Sequence, residues 1–223
     1  MPSKRIRQTR LSIEFYQADT VAVARQLLGK VLVRRLGGRV RRAIIVETEA
    51  YLASGDPASH SYCGPTRRNA TMFNGPGMLY VYTIHQQHCM NVVTEPAGSG
   101  AAVLLRAAEP IEGIDHMLAA RSISHDATGE PPRALVRRCT QGPGRLCSAF
   151  EIDLANDKTD LIASEEIWLE DAPSDLCSFR TQSSRRVGIS KGVERRLRFF
   201  ADGNYFVSGC ARDHTAGRNR TFQ

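Results

Sequence analysis

The sequence has no internal repeat and no run of about eighteen apolar residues, which argues against a repeat architecture and against a membrane-spanning helix. The basic stretch at residues 1–10 is not followed by an apolar segment with a cleavage site, so it does not predict a secretory signal. From these absences we expect an intracellular protein that has no membrane partner.

Cysteine is present, but it lacks the spacing of a structural site. None of the six cysteines lies in a C-x-x-C pair. A chain of 223 residues can build its own core without disulfide bonds. We therefore expect reduced, mostly buried thiols and no structural metal.

Acidic residues are too few to balance the basic ones. The chain has 30 Lys and Arg and 23 Asp and Glu, so its net charge is +7. Six arginine pairs account for most of the excess: Arg34-Arg35, Arg41-Arg42, Arg67-Arg68, Arg137-Arg138, Arg185-Arg186 and Arg195-Arg196. A solvated helix or strand face explains any single pair equally well. Six pairs together favour a polyanion, because guanidinium groups bind phosphate oxygens in a two-pronged way. Nucleic acid is the expected partner.

The apolar pattern predicts a mixed α/β (α+β) fold with a mainly antiparallel sheet and flanking helices. We divide the chain into a flexible basic arm, residues 1–14, and a single domain, residues 15–223. Predicted strands cover residues 30–36, 39–50, 78–84, 89–94, 101–106, 166–169, 187–189, 197–200 and 205–208. Predicted helices cover residues 20–28, 112–121, 132–138 and 143–149.

Reactive side chains are densest between residues 43 and 95. The apolar run at residues 43–46 indicates a strand buried on both faces, and the strand ends in Glu47 and Glu49. A spacing of two places both carboxylates on one face. We expect the one nearer the strand's end to meet the loop and solvent first. In an apolar cleft such a carboxylate can have a raised pKa and act as a base on water.

Aromatic and amide side chains in the same stretch can hold a nucleobase. Tyr51, His60 and Tyr82 offer flat faces, and stacking on such faces contributes about 1–3 kcal/mol per base. Asn91 can form hydrogen bonds to base edges. On residue types alone, an ordinary core with surface aromatic residues explains the same pattern.

The order of the motifs resembles the alkyladenine (3-methyladenine) DNA glycosylase family. The central motifs are E-T-E-A-Y at 47–51, H-S at 60–61, R-N at 68–69, M-F at 72–73, L-Y-V-Y at 79–82 and C-M-N at 89–91. Later motifs are L-L-R-A at 104–107, E-P at 109–110, G-P at 142–143, L-C at 146–147, R-V-G at 186–188 and L-R-F at 197–199. The resemblance covers residues 15–208.

This resemblance implies a monofunctional glycosylase of base excision repair. Such an enzyme flips an alkylated or deaminated purine out of double-stranded DNA, hydrolyses the N-glycosidic bond and leaves an abasic site. It implies a curved sheet similar to that of the C-terminal domain of methionyl-tRNA formyltransferase, without metal or cofactor. We expect a monomer that is associated with DNA in a bacterial cytoplasm or nucleoid or in a eukaryotic nucleus.

The resemblance also implies a role for each matching residue. Glu49 matches the general base, while Arg106 and the Val187 carbonyl match the groups that position the water. Tyr51, His60 and Tyr82 match the stacking residues, and Asn91 matches the residue that crowds the exocyclic amine of guanine. DNA intercalation is assigned to His85, which stands where the family has a tyrosine. The segment from Tyr82 to Asn91 is one residue shorter than in the family.

Two other functions are compatible with these residues. A damaged-DNA-binding protein could keep the pocket and lack the chemistry, and a formyltransferase-like RNA-binding domain would prefer tRNA to damaged duplex. Glu49 and Arg106, which match the catalytic motif, favour the enzyme.

Overall fold

A computed structural model describes residues 9–125, 129–172 and 179–209. Its strands are β1 (Val31–Leu36), β2 (Arg39–Tyr51), β3 (Met78–Ile84), β4 (Gln87–Thr94), β5 (Ala101–Glu112), β6 (Thr159–Asp160), β7 (Ile167–Glu170), β8 (Thr181–Ser184) and β9 (Arg198–Ala201). Its helices are α1 (Ile13–Gln17), α2 (Thr20–Gln26), α3 (Ile114–Ala120), α4 (Arg133–Thr140) and α5 (Pro143–Ala149). Short 3₁₀ helices cover Ala70–Phe73 and Leu154–Asn156. Within the described ranges no helix is long and apolar enough to cross a membrane.

The strands form one curved, antiparallel sheet, which confirms the predicted α+β fold class. Strand β2 lies at its centre and pairs with β5 along one edge. Along its other edge, the first half of β2 pairs with β1 and the second half pairs with β9. The sheet therefore branches where β2 passes from β1 to β9, next to Glu47.

A β-bulge at the branch point decides which face the two carboxylates occupy. Ile45 and Ala50 belong to the same core cluster, although an odd spacing should place them on opposite faces. Register shifts between β2 and β5 at Ile45/Glu47 and Glu47/Thr48 account for the change, since a bulge adds one residue to one strand. The bulge thus turns Glu47 and Glu49 away from the main core.

The main core lies between the sheet and the helices. Helix α2 begins at Asp19, whose side chain accepts a hydrogen bond from the Ala22 N–H at 2.9 Å, as a good N-cap does. Val23 and Ala24 are buried in this core. The apolar run at residues 43–46 is also buried, and Ile44 packs in a second cluster on the opposite face. The prediction that this strand is buried on both faces is confirmed.

Both predicted hairpins are present. Gly37 and Gly38 form the β1–β2 turn with φ of 57° and 75°, and two positive φ values suit the right-handed twist of the strands. The predicted helices over residues 20–28, 112–121, 132–138 and 143–149 correspond to α2, α3, α4 and α5.

Some boundaries and two strands were predicted wrongly. Residues 187–189 and 205–208 are turns and loops rather than strands, because their apolar side chains pack on the site and on the second core cluster without a neighbouring strand. Strand β8 was missed, since its sequence T-Q-S-S is polar.

The predicted N-terminal arm lies partly outside the described residues, which begin at Thr9. Leu11 is buried, its N–H donates to the Leu169 carbonyl at 3.0 Å, and α1 begins at Ile13. The backbone of residues 9–11 is therefore bonded to the domain, whereas Ser12, Ile13 and Glu14 are exposed. Of the cysteines in the described part, Cys89, Cys139 and Cys147 are buried and Cys63 is exposed, all four as free thiols.

Candidate active site

The two carboxylates of β2 lie inside the strand rather than at its end, because β2 continues to Tyr51. Both side chains are fully buried. The expectation that the one nearer the strand's end meets solvent first was therefore wrong. The prediction that both share a face is confirmed by Arg106 of β5, which contacts both.

Glu49 is surrounded by hydrogen-bond donors. Its Oε1 accepts the Val187 N–H at 2.7 Å, and its Oε2 accepts the Tyr51 hydroxyl at 2.9 Å. Arg106 Nη1 lies 3.3 Å from Oε1. Burial nevertheless raises the pKa of Glu49, and Arg106, the Val187 N–H and Tyr51 offset this only in part. A carboxylate with a raised pKa is a stronger base than an ordinary glutamate.

Glu47 is held quite differently from Glu49. Its Oε1 accepts hydrogen bonds from Arg106 Nε at 2.9 Å, Arg198 Nε at 2.7 Å and the Ser208 hydroxyl at 2.9 Å. Its Oε2 accepts the Ser208 N–H at 2.7 Å. Burial acts to raise the pKa of Glu47, but Arg106, Arg198 and Ser208 together lower it. Glu47 is therefore a fixed anion and a poor base.

Arg106 joins the two carboxylates. Its Nε binds Glu47 and its Nη1 faces Glu49. Burial alone would lower the pKa of Arg106, but Glu49 and Glu47 more than reverse this effect. The guanidinium is thus permanently charged, fixed by Glu47 and presented to Glu49.

Val187 reaches the site through its backbone, as the resemblance implied, but the contact present involves a different group. Its N–H, rather than its carbonyl, is bonded to Glu49. The assigned role of the carbonyl remains a prediction.

A cavity of about 460 Å³ opens beside these groups. Its walls come from β2, β3, β4, β5 and three loops. The lining residues that sequence analysis had singled out are Tyr51, His60, Tyr82, His85, Arg106 and Val187. The volume lies in the range of small-molecule sites and is large enough for one purine.

A narrow extension of about 20 Å³ adjoins this cavity; it shares Tyr51, His60 and Tyr82 with the cavity and is also lined by Asn91. The rings of His60 and Tyr82 meet edge to face, with centroids 4.6 Å apart. Asn91 is buried, and its amide donates to the Tyr80 carbonyl at 3.2 Å. The structure thus brings the four predicted base-binding residues to one place.

Sequence reasoning missed Tyr80, which also lines the extension. The Tyr80 hydroxyl lies 3.0 Å from His60 Nδ1. Burial and the nearby Arg68 lower the pKa of His60, so its imidazole is neutral at pH 7. Tyr80 and Tyr82 lie two positions apart on β3, and this spacing could have indicated that both rings lie on one face of the strand.

His85 lies at the tip of the β3–β4 hairpin, at the mouth of the cavity. The turn consists of His85 and Gln86, with φ of 47° and 62°, and Ile84 pairs directly with Gln87. The two-residue turn explains the shortened segment. Ile84 is 42% exposed beside His85, so an apolar side chain and an imidazole project together.

Three basic residues, which we call the basic rim, lie near the mouth of the cavity. Lys191 lines the main cavity, Arg145 lines an adjoining one together with His85, and Arg68 donates to the Thr83 carbonyl at 3.2 Å. The exposed charge is smaller than the arginine pairs suggested. Five paired arginines form ion pairs within the described domain, namely Arg34 with Glu166, Arg41 with Glu151, Arg42 with Glu170, Arg186 with Asp56 and Arg195 with Glu194.

Comparison with known proteins decides the family. A family model described as methylpurine-DNA glycosylase (MPG) matches residues 14–205. The chain belongs to the methylpurine-DNA glycosylase family. Human DNA-3-methyladenine glycosylase is 43% identical over 207 residues, which cover 90% of this chain and 68% of the human protein. A Rhodopirellula baltica protein, provisionally named a 3-methyladenine DNA glycosylase, is 45% identical over 208 residues, with 93% and 87% covered.

Membership of the methylpurine-DNA glycosylase family confirms the resemblance found in the motifs. It makes the protein an enzyme of DNA repair, a hydrolase that acts on N-glycosyl bonds.

Proposed function

We propose that the protein is a monofunctional glycosylase that flips alkylated or deaminated purines out of duplex DNA and hydrolyses their N-glycosidic bond with water activated by Glu49. The product is an abasic site. The observation that carries this proposal is a buried carboxylate of raised pKa that contacts Tyr51, Arg106 and Val187, three residues that line an aromatic cavity.

The chemistry requires a base and a stabilised positive charge. Cleavage of the glycosidic bond passes through a sugar with oxocarbenium character. Ionised Glu49 takes a proton from the attacking water, and its negative charge also stabilises the developing positive charge on the sugar. Arg106, held in place by Glu47, orients Glu49 and the water.

The cavity suits a purine that carries a positive charge. The rings of Tyr51 and Tyr82 present π faces, which attract cations, and His60 adds a neutral ring. Burial raises the pKa of both tyrosines, so their hydroxyls stay protonated at neutral pH. An alkylated purine is already a cationic leaving group. Asn91, at the inner end, restricts the exocyclic amine of normal guanine.

A neutral lesion such as hypoxanthine needs protonation before it can leave. The lowered pKa of His60 makes its imidazole a weak source of that proton at pH 7. We therefore expect alkylated purines to be excised faster than hypoxanthine.

The proposal is tested with duplexes that carry one 7-methylguanine, hypoxanthine or ethenoadenine. Alkali-sensitive abasic sites, formed fastest at the alkylated purine, are the expected product. Retarded migration of damaged duplex without abasic sites would replace the proposal with a damage-binding function. Preference for tRNA over every damaged duplex would indicate an RNA-binding domain instead.

Binding to undamaged duplex is expected to be weak and to fall steeply with salt, because the basic rim displaces counterions from phosphates. Arg145→Ala and Lys191→Ala should each reduce the slope of log affinity against log salt by about one. Arg39→Ala is the control, since Arg39 is exposed at the far end of β2. A nearly flat plot for the parent protein would show that the rim does not contact DNA.

The hairpin tip is expected to limit flipping from fully paired DNA. An imidazole covers less of the neighbouring bases than a phenol ring, so His85 fills the vacated space less completely than tyrosine would. His85→Tyr should therefore speed excision from a matched pair, and His85→Ala should slow it. Lesions opposite an unmatched base should respond less, because flipping there costs less.

The measurement for the hairpin tip is single-turnover excision of one lesion opposite a matched and an unmatched base. Ile84→Ala is the companion variant, since Ile84 is the exposed apolar neighbour of His85. Equal rates for the parent and both His85 variants in both contexts would remove His85 from this role. Slowing by Ile84→Ala in that case would assign it to Ile84.

A further inference from the structure

The fully buried ion pair of Arg186 with Asp56 joins two segments that line the cavity, because Pro57 and Val187 directly follow its two residues. Arg186 Nη1 and Nη2 donate to the two carboxylate oxygens of Asp56, both at 2.7 Å. Nη1 also donates to the Ala50 carbonyl at 3.0 Å. Both charged side chains are 0% exposed. Ala50 lies on β2 between Glu49 and Tyr51, so the pair is fixed to the strand that carries the site.

The carboxylate half of the pair organises one wall of the cavity. Asp56 accepts the N–H groups of Leu52 at 3.1 Å and Ala58 at 3.3 Å, and its carbonyl accepts the Ser59 N–H at 2.9 Å. Ala58 and its neighbour Pro57 line the cavity. Asp56 therefore fixes the loop that brings Pro57 and Ala58 into the cavity wall.

The Arg186 guanidinium supports the part of the cavity wall that Tyr51 forms. The Arg186 Cζ atom lies 4.6 Å from the centre of the Tyr51 ring, so the cation backs the stacking surface. Arg186 directly precedes Val187, whose N–H is bonded to Glu49. Anchoring the Arg186 side chain at Asp56 and Ala50 therefore fixes the backbone amide that orients the carboxylate.

Stability alone is a weak reason for such a pair. Taking two charges out of water costs much of what their attraction returns, and apolar replacements of buried pairs are often as stable. Arg186 Nε is also buried without a hydrogen-bond partner within the described residues. A role in positioning the active-site groups explains the presence of this buried pair, which packing alone would not favour.

We propose that Asp56 and Arg186 are positioning residues, which hold the Val187 amide on Glu49 and hold the Tyr51 ring and the Ala58 wall at the distance needed for a purine. The proposal rests on the proposed role of Glu49 as the base. Neither side chain touches the reacting atoms, so both act through their neighbours.

Loss of the pair has a distinctive consequence for Glu49. Other groups that act on Glu49 are Arg106 from β5, Glu47 and Tyr51 from β2, Tyr82 from β3 and Cys89 from β4, together with the Arg186 guanidinium itself. The Val187 N–H is one of the groups that lower its pKa. If this amide moves away, Glu49 stays protonated to a higher pH, and the acid limb of the rate profile moves upward.

The test compares Asp56→Asn with the double variant Asp56→Asn/Arg186→Gln, which leaves no buried charge unpaired and protects against simple unfolding. Glu170→Gln is the matched control, because Glu170 is also a buried partner of an arginine but lies on β7. Single-turnover excision of an alkylated purine is measured between about pH 5 and 9, with thermal unfolding of each protein.

We expect both Asp56 variants to lose roughly 10²-fold in limiting rate, as misplacement of a catalytic group does, and to show an acid limb at higher pH. Glu170→Gln should keep the parent's rate and profile. Parent-like rate and profile in the double variant, with Glu49→Gln inactive, would overturn the positioning role alone. Parent-like activity in Glu49→Gln would instead overturn the proposed function on which it rests.

Discussion

Replacing Glu49 by glutamine is expected to reduce single-turnover excision of an alkylated purine by roughly 10²-fold or more, while damaged duplex still binds. Glutamine has the same size, and its carbonyl oxygen can still accept the Val187 N–H, which now lies at 2.7 Å from Glu49. The amide cannot take a proton from water, and it removes the negative charge that faces the sugar. Excision is therefore lost, whereas binding of the lesion in the cavity is retained.

The measurement pairs a rate with an affinity for each protein. Binding is followed on a lesion duplex under conditions without turnover, and excision is followed with enzyme in excess. Glu166→Gln is the control for a carboxylate-to-amide change, since Glu166 is an exposed carboxylate that is also paired with an arginine, Arg34. Residual excision within a few-fold of the parent would mean that another group is the base, with Glu47 the nearest carboxylate.

Glu47→Gln is expected to have its largest effect on stability. The substitution removes the shared counter-charge of Arg106 and Arg198, and breaking a buried ion pair by removing one partner costs about 3–5 kcal/mol. For a chain of this length that corresponds to a decrease in melting temperature of roughly 10 °C. Excision should also fall, because Arg106 is no longer held against Glu49.

Glu49→Gln gives the opposite result in the same melting experiment. The pKa of Glu49 is raised in the folded protein, so its ionised form is disfavoured by folding and a neutral amide should leave the melting temperature unchanged or higher.

The pKa of Glu47 is lowered. The contribution of ionised Glu47 to stability is therefore present above its unfolded-state pKa of about 4.3 and is lost as the pH falls through its pKa in the folded protein. Equal melting temperatures for Glu47→Gln and the parent at pH 7 would contradict this account.

Local sequence patterns were sufficient for the hairpins and most helices. Gly37-Gly38 marks a two-residue turn, and Asp19 marks the start of α2, because these residues act on their own backbone. The pairing of β2 with β9 was not predictable in this way. It depends on a contact between residues about 150 positions apart and on a polar strand, β8, that pairs with β9.

The site was predictable to the level of its residues but not of its electrostatics. A spacing of two correctly placed Glu47 and Glu49 on one face. The β2 bulge determines which face they occupy, and Arg198 and Ser208 hold Glu47 in its ionised form. Neither effect leaves a local sequence pattern. The distinction between a fixed anion and a base of raised pKa therefore came from tertiary contacts.

Arginine is the clearest case in which composition misleads. Paired arginines suggested an extended basic surface, yet Arg186 is entirely buried against Asp56. Arg34 and Arg41 are also buried and pair with acidic residues. A sequence gives the number of charges, whereas their partners are set by the fold. The rim formed by Arg68, Arg145 and Lys191 is the part that we propose contacts DNA.

The central claim, that ionised Glu49 is the base, is tested most directly by the pH dependence of single-turnover excision. A duplex with one 7-methylguanine is used for the parent and for Glu49→Gln across the acid range. The parent's rate should rise with pH through a midpoint above the ordinary glutamate value of about 4.3, and Glu49→Gln should be slow without that rise. The same rise in Glu49→Gln, at a comparable rate, would contradict the claim.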